Sequence, residues 1–284
     1  MSSAPLYVVG LGPGSPDLLP PRALHALEAS QVLIGYQRYL DLLPPDLLCT
    51  RRLVRSGMTD EISRCNQALD AVLTGETVSL VCSGDPGVYA MAGLVYELAA
   101  ERGLVCGPAA GYNALCDSAA VSGIEKAIDI RVVPGIPALC AAAALLGAPL
   151  MHDFASLSLS DLLTPWELIE KRAECALAGD FVLVIYNPRS GKRTRQLERV
   201  LEMALAERGQ QGVIGLVRNA ERMEQVVELC RLADFDPARA DMLSIIFIGN
   251  SQTRLLPDVN GGSNWRLGAR MVTPRGYLKK YQAS

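Results

Sequence analysis

No two of the eight cysteines in this 284-residue chain form a Cys-x-x-Cys pair. Cys49, Cys65, Cys82, Cys106, Cys116, Cys140, Cys175 and Cys230 are scattered, which favours reduced thiols over a metal site or a disulfide framework. A basic excess is also missing. Lys and Arg number 27 against 30 Asp and Glu, for a net charge of -3 and a pI near 5.5, which argues against a nucleic-acid partner. The longest apolar run, Ile136 to Met151, is too short to span a bilayer and is interrupted by Pro137, Gly147 and Pro149. The opening Met-Ser-Ser-Ala-Pro carries neither a basic segment nor an apolar signal core. The expectation is a cytoplasmic protein with no membrane partner. Neither a solenoid repeat nor a low-complexity tract is present.

What is present suits an ordinary α/β protein. Hydrophobic residues make up 50% and charged residues 20%, and the length accommodates two domains. Ser79 to Gly93 reads as a strand, a Gly-Asp-Pro-Gly corner and the start of a helix. Val78 to Cys82 is too short for a helix and too apolar for a surface loop, so it reads as a strand buried on both faces. Gly84 and Gly87 let backbone approach a ligand closely, and Pro86 suits a helix N-terminus. Beyond the carboxyl end of a strand is where open α/β sheets bind ligands.

A second glycine loop follows Leu6 to Gly10, and Pro20-Pro-Arg then starts a helix. Two nucleotide fingerprints fail on this loop. Ser15 stands where the last glycine of Gly-x-Gly-x-x-Gly belongs, the next strand ends at Gly35 without an acidic residue, and no Gly-Lys-Ser/Thr follows. Thr59 to Leu73 reads as a helix capped by Thr59, and Arg102 to Lys126 as an irregular excursion. Asp129 to Val133 resumes the sheet. Pro134-Gly-Ile-Pro137 then turns into an Ala-rich helix, giving expected domains of 1–134 and 135–284. In the second half Thr164-Pro-Trp-Glu167 reads as a capping box. Strands are expected at Phe181 to Tyr186, Val213 to Val217, Glu224 to Cys230 and Leu243 to Ile248, so a mixed sheet is expected. The segment Arg270 to Ser284 reads as a solvated end.

Taken together, Val9-Gly-Leu-Gly-Pro-Gly14, Gly84-Asp-Pro-Gly-x-Tyr89, Val133-Pro-Gly-Ile136 and Tyr186-Asn-Pro-Arg189 resemble the tetrapyrrole methylase superfamily over nearly the whole chain. Gly147-Ala-Pro-Leu-Met-His-Asp-Phe154, Ser156 to Glu167 and Gly57-Met-Thr-Asp-Glu-Ile are similar to its branch that methylates carbon 17 of a precorrin-3 macrocycle. The resemblance implies a two-domain fold with a mostly parallel first sheet and a mixed second one, binding S-adenosyl-L-methionine in a cleft between domains. It further implies C17 methylation and ring contraction of precorrin-3B or cobalt-precorrin-3 in cobalamin biosynthesis, by a homodimer. Alternatives are a methylase of the superfamily with another target, including RNA, or a non-catalytic tetrapyrrole or cofactor carrier.

By the same resemblance Pro13, Gly84, Asp85, Val88 and Tyr89 approach the cofactor from the first domain. Ile136, Pro137, Tyr186, Asn187, Asn219, Gly249 and Asn250 approach it from the linker and the second. Pro137 stands where the superfamily usually has Ser or Thr, a departure that suits a carrier. Asp85 alternatively caps a helix. Methyl transfer from a sulfonium needs positioning and electrostatics, and no metal. Ring contraction needs protons moved at defined positions, for which His152, Asp153 and Asp161 are the candidates; His25 reads as an ordinary helix position. Ser156, Ser158 and Ser160 read as a turn or as small donors lining the macrocycle pocket. A polycarboxylate substrate calls for cations. Arg189 with Ser190 is the favoured site, Arg55 and Arg64 are further candidates, and Lys192, Arg193 and Arg195 read as a solvated helix start.

Overall fold

A computed structural model describes residues 4–106, 127–257 and 269–281. Most of the Arg102 to Lys126 excursion, with Cys116, lies outside the described residues. The chain divides into two compact units, Met1–Ala138 and Leu139–Ser284.

Unit 1 runs β1 (Pro5–Gly10), α1 (Pro21–Ala29), β2 (Val32–Tyr36), α2 (Gln37–Leu40), α3 (Pro45–Cys49), β3 (Arg52–Ser56), α4 (Glu61–Leu73), β4 (Val78–Cys82), α5 (Ala92–Glu101), β5 (Val105–Cys106) and β6 (Ala127–Val133). Its strands form one sheet in the order β3-β2-β4-β1-β6-β5, parallel at every pairing. Side chains alternate between faces along each strand. Leu6, Val8, Leu80 and Cys82 pack with α4 and α5 on one side, while Val9, Val81 and Val133 pack with α1 on the other. Burial pushes the thiols of Cys65 and Cys82 up to about 11 and about 12, so both are inert core residues.

Unit 2 runs α6 (Ala138–Leu146, begun on the last residue of unit 1), β7 (Gly147–Ala148), β8 (Phe154–Ser158), α7 (Trp166–Ala178), β9 (Val182–Tyr186), α8 (Arg195–Arg208), β10 (Val213–Arg218), β11 (Val226–Arg231), β12 (Ser244–Ile248), β13 (Arg254–Leu256), β14 (Arg270–Val272) and α9 (Tyr277–Tyr281). Five strands form a mixed sheet in the order β11-β10-β12-β9-β8, with β13-β14-β7 as a small second sheet. Leu183, Ile185, Ile214, Leu216, Ile246 and Ile248 face α7 and α8. Leu146 of α6 meets the opposite face, where a Cβ on Gly215 would stand 2.8 Å from its side chain. The architecture is therefore α/β, with a parallel first sheet and a mixed second one.

Several local expectations are corrected. Thr59 does not cap α4: it has φ 67°, and Asp60 precedes the helix. Its neighbour Gly57 donates its N–H to Asp60 instead. The capping box at Thr164 does not form, because Pro165 occupies the cap position of α7 without a side-chain hydrogen bond. The serine run is an edge strand, with Ser156 and Ser158 in β8. The segment from Arg270 is no solvated end, since β14 pairs with both β13 and β7 and Met271 and Thr273 are fully buried. β3 escapes the sequence reading because Arg52 and Arg55 give it the charged character of an edge strand.

Candidate functional site

Three glycine-bearing turns meet at the carboxyl end of the unit 1 sheet, after the adjacent strands β4, β1 and β6. Gly12 and Gly84 exchange both backbone hydrogen bonds, Gly12 N–H to Gly84 O at 3.1 Å and Gly84 N–H to Gly12 O at 2.8 Å. Both residues have positive φ, 76° and 67°, which glycine adopts without steric cost. The third turn presses against them. A Cβ on Gly135 would stand 2.1 Å from Gly84 O, and one on Gly10 would stand 2.6 Å from both Gly84 O and Gly135 N. No side chain fits there, so backbone groups alone form the floor.

Asp85 fastens the arrangement. Its Oδ1 accepts the N–H of Gly87 at 2.8 Å, and its Oδ2 accepts the N–H of Gly135 at 3.1 Å. The helix-cap alternative for Asp85 is thereby corrected: α5 begins at Ala92, with Met91 as its cap. The loop after β1 leads to α1 on one face and the loop after β4 to α5 on the other, so this is the switch point of the sheet, the place where open α/β sheets bind ligands. Pro13, Gly84, Asp85, Val88, Tyr89, Ile136 and Pro137 all lie on these three turns. Tyr89 is held at φ 51° with its side chain exposed, a conformation that costs energy in a bulky residue and collects at functional sites.

The unit 1 cations divide. Arg55 is exposed on β3. Arg64 is 3% exposed and donates to Ser56 Oγ, Gly57 O and Met91 Sδ. It ties the loop after β3 to the loop after β4 from inside, so its place is that of a buried strap and not of a surface cation.

In unit 2 the strand directions sort the candidates. β9 and β10 lie on either side of β12 and antiparallel to it, so Asn187 and Asn219, each just past a strand, share one end of the sheet. Both have left-handed backbone, φ 49° and 51°. Gly249 and Asn250 follow β12 and fall at the opposite end, about 17 Å away for a five-residue strand. Local structure occupies them there. Gly249 O accepts from Arg208, a Cβ on Gly249 would stand 2.5 Å from Thr253, and Asn250 Oδ1 accepts from Gln252 N–H and Thr253 Oγ. They do not join the other cofactor candidates of unit 2.

The same geometry separates the acid–base candidates. His152 and Asp153 precede β8, whose first residue pairs with Val182 at the start of β9. Asp161 follows the far end of β8. His152 Nδ1 lies 2.8 Å from the backbone nitrogen of Asp153 and 3.4 Å from its Oδ2. Beside this end lies a polar knot that the sequence reading missed: Asp180 accepts from Ser251 N–H at 2.9 Å and Ser251 Oγ at 2.6 Å, with Arg208 Nη1 at 3.3 Å. Partial burial pushes the Asp180 carboxyl up, but the Ser251 hydrogen bonds and Arg208 more than reverse this and hold it below the usual carboxylate range.

At the other end, Asn187 donates its Nδ2–H to Ser158 Oγ at 3.0 Å, and Arg193 Nη1 donates to Asn187 O at 2.7 Å. Arg193, expected in solvent, has a side chain only 8% exposed, with Asp161 Oδ1 3.8 Å from its Nε. Desolvation lowers its pKa and Asp161 opposes that shift. Nothing in the run Arg189 to Arg195 signals this, because the burial comes from a loop folding back through paired Ser190 and Arg193 backbone groups. Asp161 also accepts from Gln196, and Arg189 lies 3.8 Å from Glu198. Asn187, Arg189, Ser190, Asp161 and Asn219 thus gather at one sheet end together with Tyr186, whose hydroxyl accepts the N–H of Leu139 in the first turn of α6 at 2.9 Å.

Residues 5–127 and 120–236 match the family described as Tetrapyrrole (Corrin/Porphyrin) Methylases. The chain is 40% identical over 276 residues to a cobalt-factor III methyltransferase of Priestia megaterium, covering 97% of this chain and 46% of that longer protein. It is 38% identical over 272 residues to a probable cobalt-factor III C(17)-methyltransferase of Salmonella typhimurium, covering 96% of this chain and 99% of the relative. Among solved structures, the methyltransferase CobJ superposes with a TM-score of 0.78 at 34% identity, over 96% of this chain and 100% of that one.

Proposed function

Because this chain belongs to the tetrapyrrole (corrin/porphyrin) methylases, we propose that it transfers a methyl group from S-adenosyl-L-methionine to carbon 17 of precorrin-3B or of a cobalt-loaded counterpart, cobalt-precorrin-3 or the cobalt-factor III for which its relatives are named, with ring contraction, in cobalamin biosynthesis. The observation that carries this reading is the closure of three glycine turns at the carboxyl ends of β4, β1 and β6, in a chain 38% identical to a relative of matching length named for that reaction. A homodimer, which rests on the family resemblance, and a cytoplasmic location, which rests on the sequence, are part of the same reading.

The residues of unit 1 suit such a cofactor. A floor of backbone N–H and C=O groups, with no room for a Cβ at Gly10 or Gly135, favours a ligand that presents an amino acid and a nucleoside to main-chain partners. Pro13, Gly84, Asp85, Val88, Tyr89, Ile136 and Pro137 would hold it. When bound, S-adenosyl-L-methionine supplies an electrophilic methyl carbon on a sulfonium. The protein's own part is positioning: the Asp85 bonds to Gly87 and Gly135 fix the turns, and so fix the line of approach.

Unit 2 supplies the groups for the macrocycle. Arg189 and Ser190 follow β9 and suit the substrate carboxylates. Asp161 shares that end of the sheet with Asn187 and Arg189, which makes it a better acid–base candidate than His152 or Asp153 at the opposite end. At the start of α6 the Tyr186 hydroxyl provides a side-chain acceptor, which Pro137 lacks.

Anaerobic incubation of the purified protein with S-adenosyl-L-methionine and either cobalt-factor III or its metal-free counterpart tests the proposal. A methylated product mass with a changed absorption spectrum is expected. Absence of both with both substrates would refute it.

A further inference from the structure

Arg218 ends β10, opposite Ser244 of β12 and Val226 of β11. Its Nε is buried without a hydrogen-bond partner, the one such side-chain nitrogen or oxygen among the described residues. A buried cationic N–H left in that state destabilises a fold, and native structures carry few of them without a reason. The buried arginines of unit 2 are treated differently: Arg193 reaches Asn187 O at the same sheet end, and Arg208 reaches Leu177 O and Gly249 O at the opposite one.

The position of Arg218 is informative. Strand alternation puts it on the face of Leu216, which packs toward α7 and α8. It stands at the sheet end that gathers Asn187, Arg189 and Asp161. The next residue, Asn219, is held at φ 51° by its own N–H bond to Leu243 O, so the chain turns immediately beyond the guanidinium. The sequence reading passed over Arg218 because Val-Arg at a strand end looks like an ordinary surface terminus.

We propose that Arg218 binds a carboxylate of the reacting molecules, which makes it a further ligand-binding residue of this enzyme; this rests on the methyltransferase reading above. Arg218 is half-buried as a residue, with its Nε on the buried side; a carboxylate reaching the guanidinium pairs with its charge and accepts two N–H bonds from the planar fork, a match that water does not offer. The macrocycle carries several carboxylates and S-adenosyl-L-methionine carries one, so the chemistry is shared and the experiment separates the sources.

The test compares wild type, Arg218→Met and Arg218→Lys. Cobalt-factor III and its carboxyl methyl ester are titrated by absorbance, and S-adenosylhomocysteine by calorimetry. Arg218→Met is expected to bind the free-acid macrocycle about 10- to 100-fold more weakly, with Arg218→Lys intermediate. Affinity for the ester should be equal in wild type and variant. The ligand-free Arg218→Met protein should melt no lower than wild type, because a structural arginine is missed on removal and an unpartnered one is not. Weakened S-adenosylhomocysteine with unchanged macrocycle assigns the carboxylate to the methionine moiety. Unchanged affinity for both, or a lowered ligand-free melting point with both affinities kept, overturns the proposal. If Arg218→Met does not fold, the free-acid against ester comparison in Arg218→Lys decides. A wild type that binds the macrocycle without methylating it would refute the proposed function while leaving the Arg218 comparison valid, and one that binds neither ligand would overturn both.

Discussion

The Tyr186 hydroxyl accepts the N–H of Leu139 at 2.9 Å, and so does the work of a cap for α6, which begins one residue earlier. A Ser or Thr directly before a helix ordinarily accepts from the second or third helical N–H. Here that place belongs to Pro137, which has no side-chain acceptor. Removing the tyrosine hydroxyl therefore leaves the helix start without this bond. Tyr186→Phe should cost about 1 kcal/mol of stability, and the double variant Tyr186→Phe/Pro137→Ser should recover most of it. Urea unfolding of the three proteins checks this. Equal losses in the single and double variants would show that the cap is not what Tyr186 supplies.

Gly135 and Gly93 make a controlled comparison. A Cβ on Gly135 would stand 2.1 Å from Gly84 O, a backbone atom that cannot swing aside, whereas a Cβ on Gly93 in α5 meets nothing within 4 Å. Gly135→Ala should destabilise by about 2 kcal/mol or more and weaken S-adenosylhomocysteine binding, because the turns must separate. Gly93→Ala should gain up to about 1 kcal/mol from helix propensity. Thermal unfolding and calorimetric titration read both effects. Similar stability in the two variants would contradict the close crossing of the turns.

How much of this was legible in the sequence depends on whether the cause was local. β4 and β9 are short, largely apolar runs bounded by breakers, and the corner at Gly84 announces itself through residues with special backbone preferences. β8 hides its alternation because its core-facing residues are only Ala155 and Leu157, set between Ser156 and Ser158. β14 is three residues whose partners lie far away in the chain. The sequence offers the unit 2 candidates as one set, yet antiparallel β12 carries Gly249 and Asn250 away from Asn187, and no local pattern records strand direction. The charge of Arg64 and Arg193 suggests surface cations, while their burial comes from tertiary contacts to Ser56, Gly57, Met91 and Asn187.

Asp85 allows a strap to be told from a ligand contact. Its two oxygens accept from Gly87 and Gly135, so Asp85→Ala should lose about 1–3 kcal/mol and bind S-adenosylhomocysteine about 10-fold more weakly. Asp85→Asn keeps one carbonyl oxygen as an acceptor and should fall between Ala and wild type in both measurements. Melting points and calorimetric affinities should therefore move together across the series. An Asn variant with wild-type stability and the affinity of the Ala variant would instead place the negative charge directly on the ligand.

The Asp180 carboxyl gives the acid limb of unit 2 a defined sign. Its folded pKa lies below the ordinary value of 3.8, because the Ser251 hydrogen bonds and Arg208 outweigh partial burial. A depressed carboxyl contributes stability that is fully present above its unfolded pKa and is lost as pH falls through the folded value. Asp180→Asn should therefore be less stable than wild type at pH 7, with the gap narrowing steadily below about pH 4. Because the side chain is 43% exposed, the gap should be modest and should shrink further in high salt. Urea unfolding at pH 7 and pH 3, with and without added salt, measures it. A gap that stays constant between the two pH values would mean that the contribution of Asp180 comes from hydrogen-bond geometry alone, with no part for its charge.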